Sequence, residues 1–184
     1  MEPAIKPLDK LLFYKYLDKA RHYMEFGSGG STYHASIRPN VKSICTVESD
    51  LEWIQLLKSK IAHPSIQYNY IDIQALPRSL GYPGKNCNAI HMKKYSDVKV
   101  PSETDLVLID GRFRVACCLK LIGQINDDCI VIFDDFLDRK QYHVVLDYFT
   151  IVEQTENKSL VVLRRRKGTI PSLELIAEYE CIAG

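Results

Sequence analysis

The run His22-Tyr23-Met24-Glu25-Phe26 passes directly into Gly27-Ser28-Gly29-Gly30. A short apolar stretch that stops at glycines and gives way to a polar helix start reads as strand, tight loop and helix. The pattern repeats. Ser43–Glu48 reads as a second strand, with Asp50 as N-cap of a helix through Trp53, Leu56 and Leu57. Residues 66–71 form a third strand ending at Asp72. Residues 105–109, almost wholly apolar as a strand buried on both faces should be, end at Asp110-Gly111. Residues 129–133 end at Asp134-Asp135. Helices are expected at Pro7, with Leu8, Leu11, Leu12 and Tyr16 at helical spacing, over 112–122 and over 140–146. Strands that alternate with helices pair in parallel, with helices on both faces. The chain closes differently: 149–153 and 160–163 flank the polar turn Thr155-Glu156-Asn157-Lys158 and form a hairpin. The expected fold is α/β, a doubly wound, mostly parallel sheet ending in an antiparallel pair.

At 184 residues the chain fits one domain, 1–184, with an N-terminal helix in 1–20. A chain of this size buries roughly 70% of its unfolded surface and needs no disulfide or structural metal. The six cysteines, Cys45, Cys87, Cys117, Cys118, Cys129 and Cys181, form no C-x-x-C pair and read as reduced core thiols. A net charge of +1 gives no broad attraction to nucleic acid or to an anionic membrane. No signal-peptide core or long apolar span occurs, so a cytoplasmic protein is expected. The segment 74–102, rich in proline and glycine, reads as an insertion near the active site.

Gly27 and Gly29 let the backbone turn tightly and approach a ligand, and the amides of Ser28, Ser31 and Thr32 open the next helix toward it. Glu48, about 20 residues beyond Gly27, stands at the end of the second strand, where a carboxylate accepts both hydrogen bonds of a ribose diol. A dinucleotide site shares these features. Two details favour a nucleoside without a pyrophosphate. Thr32 stands where the third fingerprint glycine would be. Glu25, just ahead of the loop, would repel a pyrophosphate but suit a ligand carrying ammonium and sulfonium charges.

The run Glu25-Phe26-Gly27-Ser28-Gly29-Gly30-Ser31-Thr32 resembles motif I of the class I S-adenosylmethionine-dependent methyltransferases. The resemblance covers roughly residues 20 to 165 and implies their fold. It makes Glu48 the ribose-binding acid and Asp72 the contact to the adenine amino group, with Asp110 also at the cofactor. Asp110, Asp134 and Asp135 each end a parallel strand at the edge where open α/β sheets bind ligands. Three converging carboxylates repel unless protonated or bridged by a cation. The pattern is similar to metal-dependent O-methyltransferases, and Val131-Ile132-Phe133-Asp134-Asp135-Phe136 looks like the macrocin-type sugar enzymes. That resemblance implies a site for Mg²⁺ or Mn²⁺ on the three aspartates. Two other readings stay open: Arg112 or Arg114 neutralises the carboxylates, or Asp110 and Asp135 simply cap helices.

His91 and Tyr95, in the segment 74–102, are candidates to cover an acceptor or to sit in a solvated loop. His34 is expected on the helix after the glycine loop, and Trp53 in helical packing or beneath an adenosine. Arg164-Arg165-Arg166-Lys167 reads as a solvated strand edge. The function expected is methyl transfer from S-adenosylmethionine to an oxygen acceptor, a sugar hydroxyl of a small molecule or glycan, with Asp110, Arg112, Asp134 and Asp135 carrying the chemistry. An NAD-dependent reductase or epimerase is the rival enzyme. It would normally place Tyr-x-x-x-Lys on the helix after the fourth strand, where none is found. A non-catalytic S-adenosylmethionine-binding module is the third class.

Overall fold

The computed structural model describes every residue of the chain except Pro77, Arg78, Asn157 and Lys158. Seven strands, β1 (His22–Phe26), β2 (Ser43–Glu48), β3 (Ile66–Tyr70), β4 (Leu106–Ile109), β5 (Ile130–Phe133), β6 (Phe149–Gln154) and β7 (Val161–Arg165), form one sheet in the order β3-β2-β1-β4-β5-β7-β6. β1 to β5 pair in parallel, and β7 runs antiparallel between β5 and β6. The helices are α1 (Pro7–Leu17), α2 (Gly30–Ser36), α3 (Leu51–Lys60), α4 (Ala89–Ser96), α5 (Arg114–Lys120) and α6 (Leu173–Tyr179). The expected strands and the closing hairpin are all present, within one residue at most ends.

Successive strand side chains point to opposite faces, so the sheet divides the core in two. Met24, Phe26, Val107, Ile109, Val131 and Phe133 pack with Ala116 to Leu119 of α5. Tyr23, Ile44, Leu106, Leu108 and Ile132 pack with Leu12, Phe13 and Leu17 of α1 and Ala35 of α2. Both faces of β4 are dry, as its apolar run requires. Four of the six cysteines are buried, Cys45, Cys117, Cys118 and Cys129. Among the described residues no helix is long and apolar enough to cross a membrane.

Three expectations need correction. The segment 74–102 is not an insertion: it carries α4, the crossover helix between β3 and β4, started by Asn88, whose side chain accepts from the His91 amide. Gly81, Pro83 and Gly84 precede α4 and Pro101 follows it; Pro77 and Arg78 lie outside the described residues, as do Asn157 and Lys158 of the hairpin turn. Tyr95 is accordingly a core residue, packed between Phe26 and Phe113. The stretch expected as a helix over 140–146 is a 3₁₀ helix, Lys140–Asp147. An additional helix, α6, capped by Ser172, packs against α5, and Glu180 just beyond it pairs with Lys120.

The loops after β1 and β4 touch. Gly27 adopts φ 92°, and a Cβ there would lie 2.8 Å from both Cα and N of Gly111. A Cβ on Gly111 would in turn overlap the Tyr95 hydroxyl. Backbone cannot yield as a flexible side chain does, so this approach requires glycine at both positions. Gly27→Ala is expected to lower stability by ~2 kcal/mol or more, combining left-handed strain with the clash. Chemical denaturation measures this, and an unchanged midpoint would show that the two loops do not depend on each other.

Candidate functional site

Glu48 ends β2 almost fully buried. Its Oε2 accepts from the Ser28 amide at 3.1 Å and the Ser28 hydroxyl at 3.0 Å. Its Oε1 accepts from the amides of Ser49 at 2.6 Å and Asp50 at 3.0 Å. The acid and the glycine loop therefore form one unit at the sheet's carboxyl edge. Trp53 fixes the loop from the other side, its indole N–H donating to the Ser28 carbonyl at 2.9 Å. Above Gly29 the space is open: a Cβ there would meet only the Trp53 ring, at 3.9 Å. His34 lies on α2, as expected, against Tyr14.

Glu25, Ser31 and Thr32 do not face that space. Strand alternation puts Glu25 on the same face as Tyr23, fully buried. Its carboxylate accepts from Tyr23 Oη at 2.8 Å, Ser31 Oγ at 2.6 Å and Thr32 Oγ1. Thr32 Oγ1 also accepts from the Gly29 amide at 2.8 Å. The expectation that Glu25 meets a ligand's positive charges is thus corrected: it clamps α2 to β1 and shapes the loop from beneath.

Asp72, exposed beyond β3, accepts from Gln74 through both oxygens, at 2.7 and 2.6 Å. The chain then crosses the edge near Ser49. Tyr82 stacks under Arg112, whose guanidinium carbon lies 4.1 Å from the ring centroid. Among the described residues Arg112 makes no ion pair, and its buried Nε and Nη1 lack hydrogen-bond partners.

The expected aspartate cluster forms, but around an arginine. Arg114, almost fully buried at the start of α5, points back to the sheet edge. Its Nη2 lies 3.1 Å from Asp110 Oδ1 and its Nη1 3.5 Å from Asp135 Oδ2. It also donates to the Gly111 and Asp134 carbonyls at 3.0 and 2.7 Å. Arg139 pairs with Asp135 at 2.9 Å. Desolvation raises Asp110 well above the usual carboxylate range, opposed by Arg114 and reinforced by the neighbouring Asp134 and Asp135 charges. Asp134 is raised by burial and by Asp135, again opposed by Arg114. One oxygen of Asp134 is buried without a hydrogen-bond partner among the described residues.

These residues do not fit a divalent cation. A guanidinium already bridges Asp110 and Asp135, and no group of three metal-ligating side chains occurs among the described residues. Of the two arginines considered for neutralising the carboxylates, Arg114 takes the role, and Phe113 between them, at φ 52°, turns the chain before α5 begins. The aspartates are also not helix caps: no side-chain cap bond forms at α5 or at the 3₁₀ helix.

Arg139 and Tyr142 also reach this edge and were not found from sequence, where 140–146 showed only a helical pattern. Asp9 of α1 was missed as well. It is fully buried, neither oxygen has a hydrogen-bond partner among the described residues, and its charge acts on Asp134. Among the described residues, the non-glycine residues with positive φ, Gln74, Leu80, Phe113 and Asp135, lie in the loops after β3, β4 and β5. Strained backbone of this kind collects at ligand-binding edges.

Solved structures match this architecture closely. A methyltransferase-like protein from Silicibacter pomeroyi aligns over 98% of this chain and 97% of its own, with TM-score 0.85 and 24% identity. An RNA methyltransferase from Salinibacter ruber, bound to S-adenosyl-L-homocysteine, aligns over 92% and 97% with TM-score 0.58 and 14% identity. The N-methyltransferase NodS from Bradyrhizobium japonicum, also bound to S-adenosyl-L-homocysteine, aligns over 88% and 89% with TM-score 0.57 and 12% identity. No protein-family profile and no curated sequence matches the chain. Strand order, the reversed β7 and these alignments together define the class I methyltransferase fold.

The Glu25 clamp has a pH signature. Burial pushes its carboxyl from 4.5 up to about 7, although the Ser31, Thr32, Tyr23 and Thr46 hydroxyls favour the ionised form. The folded state keeps a proton that the unfolded chain releases. The associated stability is complete below pH 4.5 and is lost as pH rises to about 7. The loss amounts to about 3 kcal/mol. Glu25→Gln removes this term, so its thermal midpoint relative to the unsubstituted protein should climb across that window. A constant difference between the two midpoints would show that Glu25 is ionised throughout.

Proposed function

We propose that the chain is an S-adenosylmethionine-dependent methyltransferase acting on an oxygen acceptor, a sugar hydroxyl of a glycan or glycoside. The observation that carries the cofactor reading is the Glu48 carboxylate locked to the glycine loop through Ser28, beside the open space over Gly29. A buried carboxylate in that position suits a ribose diol, whose hydroxyls would take over the oxygen now held by Ser28. Asp72 would meet the adenine amino group, and the amides of Ser28 and Gly29 the rest of the ligand. The fold supports a methyl donor over a dinucleotide, because the reversed β7 replaces a further βα unit.

S-adenosylmethionine supplies an electrophilic methyl carbon. The protein's part is to hold the acceptor in line with that carbon and to take its proton. Asp134 is the proposed general base: burial raises its proton affinity above that of a solvated aspartate, and one of its buried oxygens lacks a hydrogen-bond partner among the described residues. Asp110 shares that role through its proximity to Asp134. Arg114 holds both strand ends in place, and no metal is needed to offset the carboxylates. The sugar acceptor is supported by the resemblance of 131–136 to macrocin-type enzymes.

Titration calorimetry with S-adenosylmethionine and NAD side by side tests the cofactor. The methyl donor is expected to bind and NAD not. Glu48→Ala should weaken binding by about 1.5–3 kcal/mol, the range for hydrogen bonds to a charged group. Transfer of a labelled methyl group to a panel of glycosides tests the acceptor. Turnover should survive EDTA and be lost in Asp134→Asn. Activity that vanishes with EDTA and returns with Mg²⁺ would overturn the arginine-neutralised site.

A further inference from the structure

Residues 181–184 lie against the carboxyl edge. They follow α6, which packs on α5 and is tied to it just beyond its end by the Glu180–Lys120 pair. The chain then turns, with the Cys181 amide donating to the Glu178 carbonyl at 3.4 Å and the Ile182 amide to the Tyr179 carbonyl at 3.2 Å. The Ala183 carbonyl accepts from the Phe113 amide at 3.2 Å, in the loop after β4. Gly184 comes to rest on three polar side chains. A Cβ there would lie 3.2 Å from Arg112 Nη1, 3.5 Å from Tyr142 Oη and 3.8 Å from Arg139 Nη1. Arg112 stands two residues past Asp110, and Arg139 holds Asp135 through Nη2 at 2.9 Å. The segment therefore covers ground directly beside the carboxyls.

This cover is lightly held. Cys181, Ile182 and Gly184 are exposed, Ala183 is only partly buried against the core, and α6 contains no buried residue. Among the described residues the Phe113–Ala183 bond is its one backbone bond to the edge. The cover is also poorly matched to what it hides. Arg112 lies between the Tyr82 ring, 4.1 Å from its guanidinium carbon, and Gly184. Its Nε and Nη1 are buried there without a hydrogen-bond partner among the described residues. Guanidinium donors shut away from water and left unmet carry a desolvation cost, which water removes when the cover lifts. Few apolar contacts, a thin set of backbone bonds and unmet donors beneath are the marks of a segment that opens ahead of the fold around it.

We infer that residues 181–184 are a strap that opens and closes over Arg112 and the Asp135 side of the edge while the domain stays folded. Closed, the strap occupies the ground beside the carboxyls. Open, it uncovers Arg112, Tyr142 and Arg139 and releases the Phe113 amide. The strap stands on its own geometry; that its opening admits the acceptor rests on the methyl-transfer reading.

Amide hydrogen exchange on the full chain tests the opening. The Phe113 amide is expected to exchange roughly tenfold or more faster than the amides of Asp110 and Asp134, which donate to the sheet carbonyls of Phe26 and Ile109. One common rate for all three would overturn the strap, because the segment would then open only with the whole domain. A chain ending at Glu180 gives a second readout. Modification of Arg112 by phenylglyoxal, followed by peptide mass, should run several-fold faster in it than in the full chain, with the buried Arg114 as an unchanged reference. An equal rate at Arg112 also overturns the strap. For the gate, transfer of a labelled methyl group to the glycoside panel should be faster in the shortened chain, at unchanged affinity for S-adenosyl-L-homocysteine. Equal or slower transfer overturns the gate. A full chain that does not bind S-adenosyl-L-homocysteine removes the methyltransferase reading and leaves the strap to be judged by exchange and modification. Should the shortened chain fail to fold, exchange on the full chain decides.

Discussion

Arg114 brings a positive charge into a site that already holds three carboxyls, and the geometry of the sheet's carboxyl edge depends on where that charge sits. Four of its contacts are to groups at the ends of β4 and β5: the side chains of Asp110 and Asp135 and the carbonyls of Gly111 and Asp134. At an effective dielectric near 20, unit charges about 4 Å apart attract by roughly 4 kcal/mol. The desolvation of a buried guanidinium is of similar size, so the net gain is modest. Removing one partner is a different matter, because it strands a buried charge at a cost of about 3–5 kcal/mol. The pairing therefore acts less as a source of stability than as a constraint that fixes two loops to each other. Phe113 and Asp135, both at positive φ, lie in the two loops that it joins.

A second constraint holds the other half of the edge. Gly27 and Gly111 meet backbone to backbone, so the loops after β1 and β4 cannot move independently. Beneath the first loop, Glu25 ties β1 to α2, and Trp53 ties the loop to α3. Glu48 then closes the set by binding Ser28. The loops after β1, β2, β4 and β5 are thus linked in series, and a change at one alters the shape offered by its neighbours. A rigid edge of this kind is what positioning chemistry requires, since small displacements of reacting groups cost rate steeply.

Much of this architecture was legible in the sequence. The strands that lead to Gly27, Asp110 and Asp134 are largely apolar runs with abrupt polar ends, those ending at Glu48 and Asp72 are more mixed, and together they specify the parallel sheet and its ligand edge. The hairpin was legible for the same reason. Crossover helix α4 was not, because the prolines and glycines of 74–88 suggest irregular chain and mask the eight helical residues that follow. Glu25 was misread because proximity to a glycine loop in sequence does not say which face of the strand a side chain takes. Counting from Tyr23, which any alternation puts on the α1 face, would have placed it. The choice between Arg112 and Arg114 turns on a single backbone conformation at Phe113, and nothing in residue type announces a left-handed phenylalanine. Asp9 comes from α1, remote in sequence, and Arg139 from the turn just after Asp135; the packed structure is what shows both beside the carboxyls.

The replacement of a cation by a guanidinium changes what the edge can do. A divalent metal would ligate two acceptor oxygens directly and lower the proton affinity of a bound hydroxyl. Arginine has donors but no vacant coordination sites, and it stays charged at every physiological pH. On the methyltransferase reading, acidification of the acceptor therefore passes from the cation to the base, and a base must have high proton affinity to serve. Burial raises that affinity at Asp110 and Asp134, and Arg114 opposes the rise. The same arginine that excludes a metal thus tunes the carboxylates that replace it.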